Sequence, residues 1–245
     1  MRRWLIAALL ALTASQALGN TTTPIAFCHD SEDRPPRFYV REGEWQGHDI
    51  DVLDHLFADS PWRYRIDAIP WRRCLQSTQA GKQHQAVLSA TYSVERAAHY
   101  YFSHSYYAQT PAYIYMTDAN RPAPDITRPT DLSRYRVCGV AGFNYVGFNL
   151  SGKGIDQGAK DLSQLIDKLI AGRCDIALSR AEIIQGRRQL GRLRWPAELE
   201  LRAIPRASAE RYYIMVSRNA PNAKQLINLI NHGIERLAKP PRDAP

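Results

Sequence analysis

The residues able to do chemistry fall into three groups: a polar stretch ending in an arginine, a few scattered acids, and four cysteines. The stretch reads Ser89-Ala90-Thr91-Tyr92-Ser93-Val94-Glu95-Arg96. A guanidinium is a planar fork matched to a carboxylate, and charge-assisted bonds of this kind are about twice as strong as neutral ones. The plain alternative for Arg96 is a surface ion pair with Glu95 or Asp49, which contributes little. Glu32, Asp33, Glu95 and Glu182 are candidate acids, but none lies in a motif that requires catalysis. No Ser-His-Asp signature, HExxH motif or phosphate loop occurs. The chemistry on offer is recognition of an anionic group, and no cofactor or metal is expected.

The cysteines are Cys28, Cys74, Cys138 and Cys174. Their spacings are long, without a CxxC or CxxH pair that would hold a metal or run redox exchange. In an exported chain an even number points first to disulfides, with three pairings open. Four buried free thiols are the other reading.

Export is expected from the first nineteen residues. Arg2 and Arg3 form a positive n-region, residues 5–12 an apolar h-region, and Ala17-Leu18-Gly19 a small-x-small cleavage site. The apolar run is too short to span a bilayer, and no second long one follows. No cysteine stands just after the signal to accept a lipid. The expected location is the periplasm. Removing the two signal arginines lowers the formal charge from +8 to +6, which suits anionic ligands or surfaces. Nucleic acid is not an expected partner, because the basic residues are scattered and no zinc, helix-turn-helix or RNA-binding signature is present.

The elements that must position these groups follow from periodicity. Residues 24–29 read as a buried strand, 47–58 as a helix with Ile50, Leu53, Leu56 and Phe57 on one face, and Tyr64, Ile66 and Ala68 as an alternating strand. A helix over 71–80 stops at Gly81, and 86–88 form a third strand entering the polar stretch. After Pro129 the order restarts with a strand at 136–140 and a helix at 161–171, whose Leu162, Leu165, Ile166, Leu169 and Ile170 share a face. Asp161 and Gln164 resemble a capping-box pair, Gly172 suits the stop, and a strand at 174–178 follows. This is an α/β chain with two units. A Pro-rich linker at 121–129 joins them, and the apolar runs 112–116 and 212–216 let the chain leave the first unit and return. Cys28 and Cys74 fall in one unit and Cys138 and Cys174 in the other, so one bridge per unit is expected.

In order and spacing the chain resembles the periplasmic solute-binding proteins of the bacterial extracellular family 3 type, such as histidine- and glutamine-binding proteins. The resemblance rests on Gly47-His48-Asp49-Ile50-Asp51, on Ser89 to Arg96 with Phe102-Ser103-His104-Ser105-Tyr106, and on Gly172-Arg173-Cys174-Asp175-Ile176-Ala177. It implies a two-lobed periplasmic-binding-protein fold (type II) with a two-strand hinge: a Venus-flytrap with lobe 1 at 20–112 plus 207–245 and lobe 2 at 113–206. It implies that Arg96 grips a ligand carboxylate with help from Ser89 and Thr91. It implies a small polar ligand, an amino acid or related carboxylate, passed by a monomer to a membrane transporter permease or a sensor receptor. Trp71 sits where relatives place a pocket wall, with core packing as its other reading. Gly142-Phe143-Asn144-Tyr145 takes the place of a Gly-Thr-Thr turn, so Asn144 and Tyr145 are candidate ligand contacts. Cyclohexadienyl dehydratases resemble the same fold and supply the enzyme alternative.

Two departures stand out. Where relatives carry an ammonium-binding aspartate two residues past the 174–178 strand, this chain has Ser179-Arg180. A cation there repels an ammonium, so either Glu32, Asp33 or Glu182 takes the role, or the ligand brings an extra anionic group to Arg180, or Arg180 points to solvent. His84 replaces an aspartate and is expected to be exposed.

Overall fold

A computed structural model of the chain describes residues 23–117, 122–150 and 154–238. The expected signal at 1–19 and part of the 121–129 linker lie outside them. In chain order the elements begin with β1 (Ile25–Asp30), β2 (Tyr39–Arg41), β3 (Glu44–Gln46), α1 (His48–Phe57), β4 (Tyr64–Ile69), α2 (Trp71–Ala80), β5 (Ala86–Thr91), α3 (Val94–His99), β6 (Tyr100–Phe102) and β7 (Tyr107–Gln109). They continue with β8 (Pro111–Met116), β9 (Val137–Val140), β10 (Ile155–Ala159), α4 (Leu162–Ile170), β11 (Ile176–Arg180), α5 (Ala181–Gln189), β12 (Leu199–Ala203), β13 (Glu210–Ser217) and α6 (Ala223–Ala238).

Two sheets carry the fold, with strand orders β4-β1-β5-β13-β6 and β10-β9-β11-β8-β12. Their plans match: β4, β1 and β5 run parallel, as do β10, β9 and β11, and an antiparallel strand, β13 or β8, follows on one side. The chain crosses between sheets twice. It leaves at Thr110, between β7 and β8, and returns over residues 204–209, between β12 and β13. The apolar run 112–116 is therefore a strand of the second sheet and 212–216 a strand of the first, while the crossings themselves are the short segments between them.

The pleat explains the layering, because alternate side chains face opposite sides of a sheet. Phe27, Leu88 and Ile214 point to one face and pack on Leu53 and Leu56 of α1 and Leu226, Ile230 and Ile234 of α6. Cys28, Val87 and Met215 point to the other face, against Trp71 and Cys74 of α2. In the second sheet Cys138, Val140 and Ala177 pack on Leu162, Leu165, Ile166 and Leu169 of α4 and on Ile183 and Ile184 of α5. Tyr113, Val137, Ile176 and Leu178 cover the opposite face with Leu132 and Phe148.

Local signals set the helix ends. Asp161 accepts a hydrogen bond from the Gln164 N–H at 2.8 Å, while the Gln164 side chain reaches back to the N–H of Lys160 rather than of Asp161, one residue off the expected box. Gly81 ends α2 at φ 70°, a left-handed position open to glycine. Cys28 bonds to Cys74 and Cys138 to Cys174, with Cα atoms 5.6 and 5.9 Å apart, and no described cysteine is free. Among the described residues no helix is long and apolar enough to cross a membrane.

Candidate functional site

In an open parallel sheet, ligands sit beyond the carboxyl ends of strands where the strand order reverses, because loops there diverge to opposite faces and leave a crevice. That point lies between β1 and β5 in the first lobe, and between β9 and β11 in the second. The loop after β1 supplies Glu32, Asp33 and Arg34, and the end of β5 supplies Ser89, Thr91 and, through α3, Arg96. The loop after β9 supplies Phe143, Asn144 and Tyr145, and the end of β11 supplies Arg180. The two crevices face each other.

Between them lies a small cavity of about 20 Å³ lined by residues from both lobes, including Arg34, Trp71, Arg96, Asn144, Arg180 and Tyr212. A wider one of about 450 Å³ opens beside it and shares Arg96, Phe143 and Asn144. The first holds little more than one water, so the lobes are closed on it. The wide cavity is larger but less enclosed by charged groups, and the chemistry converges on the small one.

Arg96 donates from Nη1 to the Thr91 carbonyl at 2.8 Å and to Thr91 Oγ1 at 3.1 Å, and among the described residues meets no carboxylate. Neither Glu95 nor Asp49 pairs with it. Burial, and after it the charge of Arg180, pushes its guanidinium down from the ordinary value. Arg180 is buried, not solvent-facing: β11 runs on past Leu178 and ends on it. Its Nε donates to Glu210 at 2.6 Å and its Nη2 to the Asn144 carbonyl at 2.8 Å. Burial opposes that charge, but Tyr212 and Glu210 outweigh it and hold the guanidinium above its ordinary value. Asn144 Nδ2 donates across the cleft to Thr91 Oγ1 at 3.0 Å and to the Tyr92 carbonyl at 2.8 Å. A continuous path of bonds thus runs from Glu210 through Arg180, Asn144 and Thr91 to Arg96.

Trp71 opens α2, half turned to the core and half to the cavity. Its indole donates to the Gly142 carbonyl of the other lobe at 3.1 Å, and the guanidiniums of Arg96 and Arg34 lie 5.5 and 5.8 Å from its ring. Arg34 also lies over Phe143 at 4.6 Å and pairs with Asp30. Such face contacts are attractive because the ring quadrupole is negative above its plane.

Ser89 is held from beneath. Its hydroxyl donates to Asp49 and accepts from Tyr107 at 2.7 Å, while its backbone N–H donates to the Tyr106 hydroxyl at 3.1 Å. Tyr106 in turn donates to Asp49 at 2.9 Å, and the His29 imidazole stands 3.3 Å from the same carboxylate. This network fixes Ser89 at φ 55°, a left-handed conformation that costs a non-glycine residue about 1–3 kcal/mol. Burial alone would raise the Asp49 carboxyl, but the His29 and His48 imidazoles beside it and the hydrogen bond from Ser89 hold it well below the usual carboxylate range. Ser89 bonds a carboxylate and not an imidazole, so it is no activated nucleophile.

Other sequence candidates take different places. Glu32 does not line the small cavity: it accepts from the Leu162 N–H at the start of α4 at 3.1 Å and pairs with Arg187. Asp33 pairs with Arg192. Both therefore join lobe to lobe. Glu182 accepts from the N–H and hydroxyl of Thr110 at 3.0 and 2.9 Å, at the first crossing. None of the three is a partner for a ligand ammonium in the small cavity. Tyr145 is buried with its hydroxyl on the backbone of Val140, accepting from the N–H at 2.6 Å, and borders only the wide cavity. His84 is buried rather than exposed, bonded to Asp67 at 2.9 Å and Ser77 at 2.5 Å.

Arg34, Tyr212, Glu210, Arg187 and Arg192 were not singled out from sequence. Arg34 follows Asp30 by four residues just past a strand end, which was a local signal. The rest depend on contacts across long separations. Among the described residues no cluster of three His, Cys, Asp or Glu side chains is arranged to hold a metal.

A family model for bacterial extracellular solute-binding proteins, family 3, matches residues 25–241. No curated protein sequence matches the chain. Solved structures do. The arginine-, lysine-, histidine-binding protein ArtJ from Geobacillus stearothermophilus superposes with a TM-score of 0.67 at 16% identity, covering 88% of this chain and 89% of that one. Holo ArgBP from T. maritima gives 0.68 at 18% identity, covering 89% and 91%. An ABC uptake transporter substrate-binding protein from Streptococcus pneumoniae with bound histidine gives 0.68 at 16% identity, covering 88% and 87%. At these identities the likeness is one of fold: the two-lobed type II architecture of periplasmic binding proteins.

Proposed function

The chain belongs to the bacterial extracellular solute-binding proteins of family 3, and from that membership we propose that it is a periplasmic receptor, exported by its N-terminal signal, that closes two lobes on a small polar ligand, an amino acid or related carboxylate, and presents it to a membrane transporter or sensor. The observation that carries this reading is Arg96. It stands at the mouth of the first lobe's crevice with Nε and Nη2 free of any protein acceptor among the described residues, facing Asn144 and Arg180 of the other lobe. A guanidinium that is desolvated and left without a carboxylate is a waiting anion site. The neighbours named for arginine and histidine binding support a ligand of amino-acid size. Binding is favoured over catalysis because no carboxylate lines the small cavity and the candidate acids Glu32, Asp33 and Glu182 are engaged elsewhere.

Closure follows from differential contact, since only the closed state lets both lobes touch the ligand. Arg96→Ala tests the reading. Losing two charge-assisted bonds at about 1.5–3 kcal/mol each should weaken the ligand found in a thermal-shift screen of amino acids and dicarboxylates at least ~100-fold, at about 1.4 kcal/mol per decade. The ligand-free melting temperature should stay within about 2 °C, because the arginine removed has no ionic partner to strand. A collapse of apo stability would make Arg96 structural and remove the basis of the proposal.

A further inference from the structure

Three guanidiniums, those of Arg34, Arg96 and Arg180, converge on the small cavity, and no carboxylate is among its lining residues. Asp30 and Glu210 stand behind this ring, each engaged by its own arginine, Arg34 and Arg180. Arg96 has only the oxygens of Thr91. The three cations are thus offset by two anions, and both anions lie outside the cavity wall.

The hydrogen-bonding inventory points the same way. An ammonium needs acceptors, and the cavity offers no carboxylate, while most of its hydroxyl oxygens are already engaged. Ser89 Oγ accepts from Tyr107, and Thr91 Oγ1 accepts from both Arg96 and Asn144. Tyr212 faces Glu210 at 3.4 Å. Donors, by contrast, are in surplus: Nε and Nη1 of Arg34, Nε and Nη2 of Arg96 and Nη1 of Arg180 meet no protein acceptor among the described residues. Donors left without a protein acceptor can take the oxygens that an anionic ligand brings, in charge-assisted bonds.

Resting on the receptor reading above, we infer that the ligand is a small anion with two oxygen-bearing acceptor groups and no ammonium, of the chemical class of short dicarboxylates. One carboxylate takes the fork of Arg96. The other acceptor group meets Arg34, on the same lobe, and Arg180, which the second lobe contributes, with the lobes parted slightly from the water-sized gap they leave here. Glu95 borders only the wide cavity and is exposed there, so it offers a ligand cation a screened and weak partner.

Matched pairs test this on the refolded wild-type chain by isothermal titration calorimetry. Succinate and aspartate share a carbon skeleton and differ by one ammonium, as do glutarate and glutamate; arginine and histidine complete the set. A dicarboxylate should bind at least tenfold more tightly than its amino counterpart, and more tightly than arginine or histidine. Aspartate or glutamate binding as well as its partner, or arginine or histidine binding best, overturns the inference while the receptor reading stands. If none of the six binds, native mass spectrometry of the protein as purified decides: a retained anion without an amine upholds the inference, and a retained amine overturns it. No binding and no retained molecule would sink both readings. Arg180→Gln combined with Glu210→Gln, which removes the inner ion pair as a neutral couple, should reduce the preference within a matched pair below threefold.

Discussion

Alanine at Gly186 should hold the lobes apart without weakening either of them. Gly186 lies in α5 of the second lobe, pressed against the loop that follows β1 in the first. A Cβ built there would fall 2.8 Å from the carbonyl carbon of Pro35 and nearer still to its oxygen. Carbon atoms rest at about 3.5–4.0 Å, so the two surfaces must separate by roughly 1 Å. The obstruction is backbone on one side and helix on the other, and neither can turn away like a long side chain. Beside it lie the bonds from Glu32 to Arg187 and to the Leu162 N–H. Losing one or two charged bonds at about 1.5–3 kcal/mol each should disfavour closure by about 2–4 kcal/mol. Apparent affinity falls with the closed population, roughly 30- to 1,000-fold. Within the second lobe the same substitution improves helix propensity by about 1 kcal/mol, so the ligand-free melting temperature should hold or rise. Calorimetry with the dicarboxylates, paired with small-angle scattering, reads both effects: the variant should keep an open-state radius of gyration under ligand concentrations that compact the wild type. Wild-type affinity and compaction in Gly186→Ala would refute a closure governed by this contact.

Two further outcomes are expected. Asp49→Asn should cost about 3–5 kcal/mol at pH 7, because it leaves buried His29, Ser89 and Tyr106 around a group that no longer carries the charge they serve. The folded-state carboxyl titrates below its unfolded value, so the contribution is present above about pH 4 and lost as pH falls through the depressed folded value. In urea melts the gap between wild type and variant should therefore narrow below pH 4, and a gap independent of pH would show that the charge is irrelevant. Replacing Cys138 and Cys174 together by alanine opens a cross-link with a sequence separation of 36, for which loop entropy sets a ceiling of about 4 kcal/mol. Denatured protein from an oxidising compartment should expose no free thiol, and a count near four would remove both bridges.

What was legible in the sequence was what is local. The stripe of Leu162, Leu165, Ile166 and Leu169 repeats within one helix, so its face and its Asp161 cap could be read directly. The alternation of strands and helices gave two α/β units, and with them the pairing of cysteines unit by unit. The end of β5 was hidden because Ser89 and Thr91 are polar. Ser89 is buried by tyrosines seventeen and eighteen residues on and by Asp49 forty residues back, and Thr91 is held by Arg96 and, across the cleft, by Asn144. His84 was misplaced for the same reason, since its burial depends on Asp67, contributed by another strand. The fate of the acids was least legible. Glu32 and Asp33 find Arg187 and Arg192 at separations of 155 and 159 residues, and Arg180 finds Glu210 through the second crossing. Charge on a surface loop has no period, and only the closed arrangement of lobes decides which arginine each carboxylate meets.

The grip of Glu182 on Thr110 has a mechanical consequence. With the Ala181 N–H also bonded to the Thr110 carbonyl at 3.0 Å, the first crossing residue is clamped to α5 and travels with the second lobe. The return crossing is tied the same way where the Ile204 N–H meets the Pro111 carbonyl at 3.0 Å. The fulcrum therefore falls on the first lobe's side of both crossings, close to Gln109 and Glu210, which pair in adjacent strands. Points near a fulcrum travel little and points far from it sweep wide arcs. Arg180 and Glu210 sit by the axis, so a swing about it should change their separation little, while the rim contacts of Glu32, Asp33 and Trp71 should make and break. A solute drifting into the open jaws meets one unbalanced charge, Arg96, on the first lobe, and the swing then brings Asn144 and Phe143 of the second lobe over it.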